Sequence, residues 1–83
     1  MIRFQHEIVV YPNPTNGNVI VEVNLVSENQ FEEIYTSIGQ LVMSKTLSEA
    51  ETKIDLKNLP NGIYTVIVRT QNKTLKATKV VRE

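Results

Sequence analysis

The sequence predicts an all-β fold, a sandwich or barrel of about seven short strands, and three observations predict it. Eleven Val, eight Ile and eight Thr make up 27 of the 83 residues. These side chains branch at Cβ, are stiff at the first torsion and fit a pleated strand better than a helix. Turn signals recur at short intervals, at Pro12-Asn13-Pro14-Thr15-Asn16-Gly17, Ser37-Ile38-Gly39, Leu59-Pro60-Asn61-Gly62 and Gln71-Asn72-Lys73. Between them run segments in which apolar and polar residues alternate with period two.

Taken in order, the first strand is expected over 7–11. Pro12 and Pro14 fix their own φ and push Tyr11 and Asn13 toward extended geometry, so this strand stops hard. Asn16-Gly17 supplies residues tolerant of positive φ for the return. A strand over 18–26 places Val19, Val21, Val23 and Leu25 on one face, with Glu22 and Asn24 on the other. A third strand covers 31–36. Its adjacent Glu32 and Glu33 point to opposite faces and cannot act as a carboxylate pair. Tyr35 has the opposite phase to Ile34, which marks it as an exposed ring. The turn at Gly39 leads into 40–47. Leu47–Lys57 contains Ser48, Glu49, Ala50 and Glu51 and has the composition of a helix, but it is too short to be stable alone. Its end, Ile54-Asp55-Leu56, alternates like a strand, so it is read as a loop entering a strand over 52–56. Pro60-Asn61-Gly62 reads as a turn with Pro at its second position and a φ-positive residue after it. The strand over 63–70 sets Tyr64, Val66 and Val68 against Thr65 and Arg69. In the last strand, 75–82, Leu75, Ala77 and Val81 share a phase, Lys79 interrupts it and Val80 faces the other way. A bulge or an edge position accounts for that pattern. The expected core is Val19, Val21, Val23, Ile34, Ile54, Leu56, Leu59, Tyr64, Val66 and Val68.

At 83 residues and 9.4 kDa the chain is read as one domain over 1–83, with 1–7 a linker or its remnant. A chain of this size buries roughly 60–65% of its unfolded surface, so its stability is marginal. Nine basic and nine acidic residues balance, which argues against a nucleic-acid binder. No apolar run approaches about 18 residues, so membrane insertion is not expected. The first residues show no basic stretch followed by an apolar core, so no signal peptide is read. With no Cys there is no disulfide framework and no thiolate chemistry. Charge is nevertheless uneven. Residues 22–51 hold six Glu against Lys45, whereas 69–83 hold Arg69, Lys73, Lys76, Lys79 and Arg82 against Glu83. Solvated strand faces with edge protection account for this, as does a basic tail read by an acidic partner.

Residues for catalysis are scarce. The single His6 and single Asp55 accompany four Ser, but no Gly-x-Ser-x-Gly sequence is present. No Asp-rich loop of calcium-ligand spacing and no glycine-rich phosphate cradle occur, so no metal, cofactor or catalytic residue is assigned. Five aromatic residues without Trp make a poor stacking platform for glycans or single-stranded nucleic acid.

Three stretches and the chain's last strand carry a resemblance. They are Val10-Tyr11-Pro12-Asn13-Pro14-Thr15-Asn16-Gly17, Ile34-Tyr35-Thr36-Ser37-Ile38-Gly39-Gln40-Leu41-Val42, and Ile54-Asp55-Leu56-Lys57-Asn58-Leu59-Pro60-Asn61-Gly62-Ile63-Tyr64, followed by Lys79-Val80-Val81-Arg82. In this order and spacing the chain resembles the C-terminal sorting domain of the type IX (Por) secretion system of the Bacteroidetes lineage, from about Ile8 onward. It departs from that pattern at Thr36, where Asp is common, and in its acidic last residue, Glu83. The resemblance implies an immunoglobulin-like two-sheet antiparallel β-sandwich that acts as a non-catalytic export address. It implies outer-membrane secretion machinery as partner and a cargo linked on the N-terminal side. It also implies passage through the periplasm to the cell surface or the medium, and removal by a sortase-like peptidase. Recognition maps by resemblance onto Lys76, Lys79, Val80, Val81 and Arg82. Pro12, Asn13, Pro14, Gly17, Gly39, Leu59, Pro60, Asn61, Gly62 and Tyr64 map as motif and turn residues. Met1 followed at once by a half-strand fits a piece excised from a longer protein. An accessory ligand- or carbohydrate-binding module and a structural spacer remain the alternatives.

Overall fold

The computed structural model describes residues 7–24 and 29–83. Seven strands follow in chain order: β1 (Ile8–Tyr11), β2 (Asn18–Val23), β3 (Phe31–Thr36), β4 (Leu41–Thr46), β5 (Glu51–Asp55), β6 (Gly62–Arg69) and β7 (Thr74–Arg82). They form a three-stranded sheet ordered β1-β2-β5 and a four-stranded sheet ordered β4-β3-β6-β7, with every pairing antiparallel. The fold is the expected two-sheet sandwich. The segment Leu47–Glu49 is extended or bent and Glu51 already belongs to β5, in keeping with its strand-like end.

Period two sorts the side chains. Val19, Val21 and Val23 of β2 pair with Ile54, Thr52 and Ile8 across the first sheet and turn inward with them. Ile34 lies between Met43 and Val66 in the second sheet. The two inner faces enclose one apolar cluster of Ile8, Val19, Val21, Val23, Ile34, Leu47, Ile54, Leu56, Tyr64, Val66, Val68 and Val80, with Val10, Val42, Met43, Leu59 and Leu75 packed around it. Leu59, expected in the core, is only half-buried because it follows the turn that leaves β5.

Several details correct the sequence reading. Strand β2 ends at Val23, since Asn24 bends away and its side-chain Oδ1 accepts from the Glu7 N–H at 2.6 Å. Leu25 and Val26, expected to extend it, lie outside the described residues, as do Phe4 and His6. The turn into β6 closes earlier than Pro60-Asn61-Gly62. The Leu59 N–H donates to the Leu56 carbonyl at 3.0 Å, and the Lys57 N–H donates to Asp55 Oδ1 at 2.8 Å. Asn61 does not take positive φ, because among the described residues only Gly17, Gly39 and Gly62 do. The Tyr64 hydroxyl donates back to the Pro60 carbonyl at 2.5 Å, four residues upstream, and so fixes the start of β6. An inward tyrosine that ties its polar tip to backbone at a strand corner also recurs in immunoglobulin-type sandwiches.

Strand β7 lies at the sheet edge and has a register shift opposite Val68/Arg69, the two features its broken alternation anticipated.

Candidate recognition site

Of the residues assigned by motif, Asn13, Pro60, Asn61, Gly62, Tyr64, Val80, Val81 and Arg82 come together at one corner of the sandwich, around the C-terminal half of β7, whereas Gly39 lies in the β3–β4 turn and Lys76 opposite Val68. Pairing with β6 occupies one side of this strand, placing Val80 opposite Tyr64 and Arg82 opposite Gly62. The other side is held by the segment after β1. Asn13 acts there as a short stretch of strand: its Nδ2 donates to the Lys79 carbonyl at 2.9 Å and its Oδ1 accepts from the Val81 N–H at 2.9 Å. Thr15 continues the contact through backbone. Its N–H donates to the Val81 carbonyl at 2.8 Å and its carbonyl accepts from the Glu83 N–H at 2.8 Å, a parallel bridge to Arg82. Pro12 and Pro14 suit this bent strap because each fixes its own φ and lacks an N–H that would need a partner. Both prolines follow cis peptide bonds. The strap ties the end of the first sheet to the edge of the second.

Gly17 lies under the same corner with φ +147°, and its carbonyl accepts from the Leu56 N–H at 2.7 Å. A Cβ added there would stand 2.6 Å from Lys57 Cγ. Thr15 caps the bend, with Oγ1 accepting from the Gly17 N–H at 3.1 Å and donating to the Asn18 carbonyl at 2.6 Å.

Arg82 is tied down, contrary to its expected place in an exposed basic set. Its guanidinium donates to the Leu56 carbonyl at 3.3 Å, the Lys57 carbonyl at 3.4 Å, Asn61 Oδ1 at 3.0 Å and the Glu83 carbonyl. It is half-buried, because it faces the space between the sheets. Val80 is fully buried and belongs to the core. Lys76 and Lys79 are exposed, and the one ion pair among the described residues is Arg69 with Glu33, at 3.4 Å. Of the three basic residues assigned to recognition, Lys76, Lys79 and Arg82, only the two lysines present free charge. Gly39, with φ +84°, forms the β3–β4 turn. There the Thr36 carbonyl accepts from the Gly39 N–H at 3.0 Å, and Thr36 Oγ1 accepts from the Gln40 N–H at 3.2 Å. Thr36 caps the turn with its hydroxyl where an Asp would use its carboxylate.

Two electrostatic features fall outside this corner. Tyr11 donates to Glu22 Oε1, and that bond, with burial and the charges of Glu22 and Glu51, pushes the phenol up to about 12. The Tyr35 hydroxyl donates to Glu33 Oε1 at 3.0 Å, which raises the Tyr35 pKa. Its ring is half-buried rather than exposed. Sequence reasoning misses Glu32 as a core residue. It shares the phase of Ile34, is fully buried, and neither of its carboxylate oxygens has a hydrogen-bond partner among the described residues. Burial pushes it up to about 7, against the opposing pull of Lys45.

Among the described residues no cluster of three or more His, Cys, Asp or Glu is arranged to hold a metal. Concavities of about 230 and 190 Å³ are lined without an aromatic ring and without any of the motif residues. Both fall below the roughly 300 Å³ at which small-molecule sites begin.

A family model described as a secretion system C-terminal sorting domain matches residues 9–83. None of the curated proteins matches the chain.

Proposed function

The chain belongs to the family of secretion system C-terminal sorting domains, and from that membership we propose that it carries a covalently linked N-terminal cargo across the outer membrane. Members of this family are signals for type IX secretion, which directs proteins toward the cell surface or the medium and implies contact with the type IX machinery. On our reading the domain is non-catalytic and forms a single unit over 1–83. It meets the machinery after passage through the periplasm, and a sortase-like peptidase removes it at the surface.

The observation that carries this reading is the extent of the family match, which takes in β2–β7 whole and all of β1 but Ile8. The structure adds a physical reason for its motifs. Pro12-Asn13-Pro14-Thr15, Leu56-Lys57 with Asn61, and the last strand touch one another, so residues far apart in sequence build one rigid corner. Rigid presentation of a small surface is what a docking signal requires.

The test is a reporter placed between a secretory signal peptide and this chain. It should reach the cell surface only in a host with type IX machinery. Deleting Leu75–Glu83 removes buried Val80 and all of the edge strand but Thr74, so loss of export would have two explanations. Lys76→Glu with Lys79→Glu separates them: both side chains are exposed, and Arg82 keeps its ties. Retention of the folded double variant in the periplasm supports direct reading of the last strand. Export of the full deletion defeats the sorting assignment.

A further inference from the structure

Among the described residues five large hydrophobic side chains are exposed: Val9 (52%), Ile38 (86%), Leu41 (48%), Ile63 (50%) and Val81 (38%). Isolated apolar residues on a surface need no explanation, but four of these five gather at one end of one sheet. Ile63 opposes Val81 across β6 and β7, on the outer face, since their neighbours Tyr64 and Val80 point into the core. Leu41 opposes Tyr35, Tyr35 opposes Thr65, and Thr65 opposes Lys79, so one row crosses all four strands next to that pair. Ile38 caps the same end from the Gly39 turn. With strands about 4.8 Å apart the patch is about 15 Å across.

The rest of the corner fixes this patch in place. The strap from Asn13 and Thr15 grips the backbone on both sides of Val81, and the Arg82 guanidinium anchors the next residue. Glycine at position 39, with φ +84° and open space where a Cβ would stand, lets the turn hold Ile38 out in solvent.

We propose that Ile38, Leu41, Ile63 and Val81 form the docking surface of this domain, and that its occupant is a protein with an apolar contact rimmed by carboxylates. The inference rests on the sorting function and specifies where its partner sits. The carboxylate rim follows from charge: Lys79 is exposed in the row beside the patch and has no ion pair among the described residues, whereas Arg69 is paired with Glu33 and Arg82 is tied to backbone carbonyls. A lipid surface fits less well. Anionic membranes are held by clusters of about four to eight basic residues, and Lys79 is the only cation in that row of the patch.

The experiment uses the signal-peptide–reporter fusion of the whole chain in a host with type IX machinery. One variant combines Ile38→Asn, Leu41→Thr and Ile63→Thr; a second carries Lys79→Glu; a third, Val9→Thr, alters the exposed apolar residue on the other sheet. Thermal melts verify folding, and the single variant Leu41→Lys on the edge strand replaces the triple variant if the latter melts early. Surface reporter should fall about tenfold or more in the triple variant, fall in Lys79→Glu, and stay unchanged in Val9→Thr. Export of the folded triple variant, with the unaltered fusion also exported, overturns the docking surface and leaves the sorting function standing. Retention of the unaltered fusion defeats both. Sedimentation of the purified chain tests other occupants. A dimer that the triple variant dissociates assigns the patch to a second copy, and co-sedimentation with anionic vesicles lost in the triple variant assigns it to lipid. Either result overturns the proposal.

Discussion

Replacing Glu32 by Gln tests how the core tolerates an acid. Glu32 stands on β3 with Val68 of β6 on one side and Lys45 of β4 on the other, and it is completely buried. Among the described residues its two oxygens have no hydrogen-bond partner, so bonding to these does not offset the cost of ionising it inside the sandwich. Burial raises the carboxyl from its ordinary 4.5 to about 7, against the pull of the Lys45 charge. A displacement of that size corresponds to about 3 kcal/mol between folded and unfolded states. The sign follows from proton uptake. Between about pH 4.5 and 7 the folded chain holds a proton that the unfolded chain has released, so stability falls as pH rises through this window and levels off above it. Gln has no proton to lose. Glu32→Gln should match the parent near pH 4.5 and exceed it by about 3 kcal/mol at pH 8, a gain of roughly 12–24 °C in Tm for a domain of this size. Urea melts followed by circular dichroism at the two pH values measure the difference. If the parent and Glu32→Gln keep the same separation at both, the carboxyl does not titrate in this window and the reasoning is wrong.

Three further outcomes are expected. Asn13→Ala removes both side-chain bonds to β7 and should cost about 1–2 kcal/mol, with faster amide hydrogen exchange at Val81 and little change at Val66. Gly17→Ala meets both a positive φ and the Lys57 side chain, whereas Gly39→Ala meets only the backbone term of about 1 kcal/mol; chemical denaturation should rank Gly17→Ala as clearly the more damaging. Val66→Asp buries a second acid between Ile34 and Thr78 and should leave the chain unfolded at neutral pH, since several kcal/mol consumes most of a total of about 4–12 kcal/mol. A native spectrum for Val66→Asp at pH 7 would contradict the assigned core.

Local pattern determined the strands and their inward phases. Alternation named Val19, Val21, Val23, Tyr64, Val66 and Val68 as core, and all six are buried. Period two depends only on a residue's neighbours, so one chain suffices to read it. The same rule placed Glu32 in phase with Ile34, but an acid at an inward position is ordinarily discounted because ionised carboxylates avoid cores; only the packed sandwich showed that it stays there, with its proton favoured. Turn chemistry was legible where a glycine was required, at Gly17 and Gly39, and misplaced at Asn61, because the hydrogen bond that closes the turn starts from Leu56. The candidate site was legible only as a set of motifs. That Asn13 completes the edge of a strand 66 and 68 residues away, and that Arg82 spends its donors on carbonyls 25 and 26 residues back, depends on how two sheets pack. The same packing decided that Val80 is core while Val81, one residue on, joins Ile38, Leu41 and Ile63 at the surface. Sequence spacing sets which face a side chain takes along its own strand. Which other strand's residue stands beside it is set by strand order and register, and those exist only once the sheets have formed.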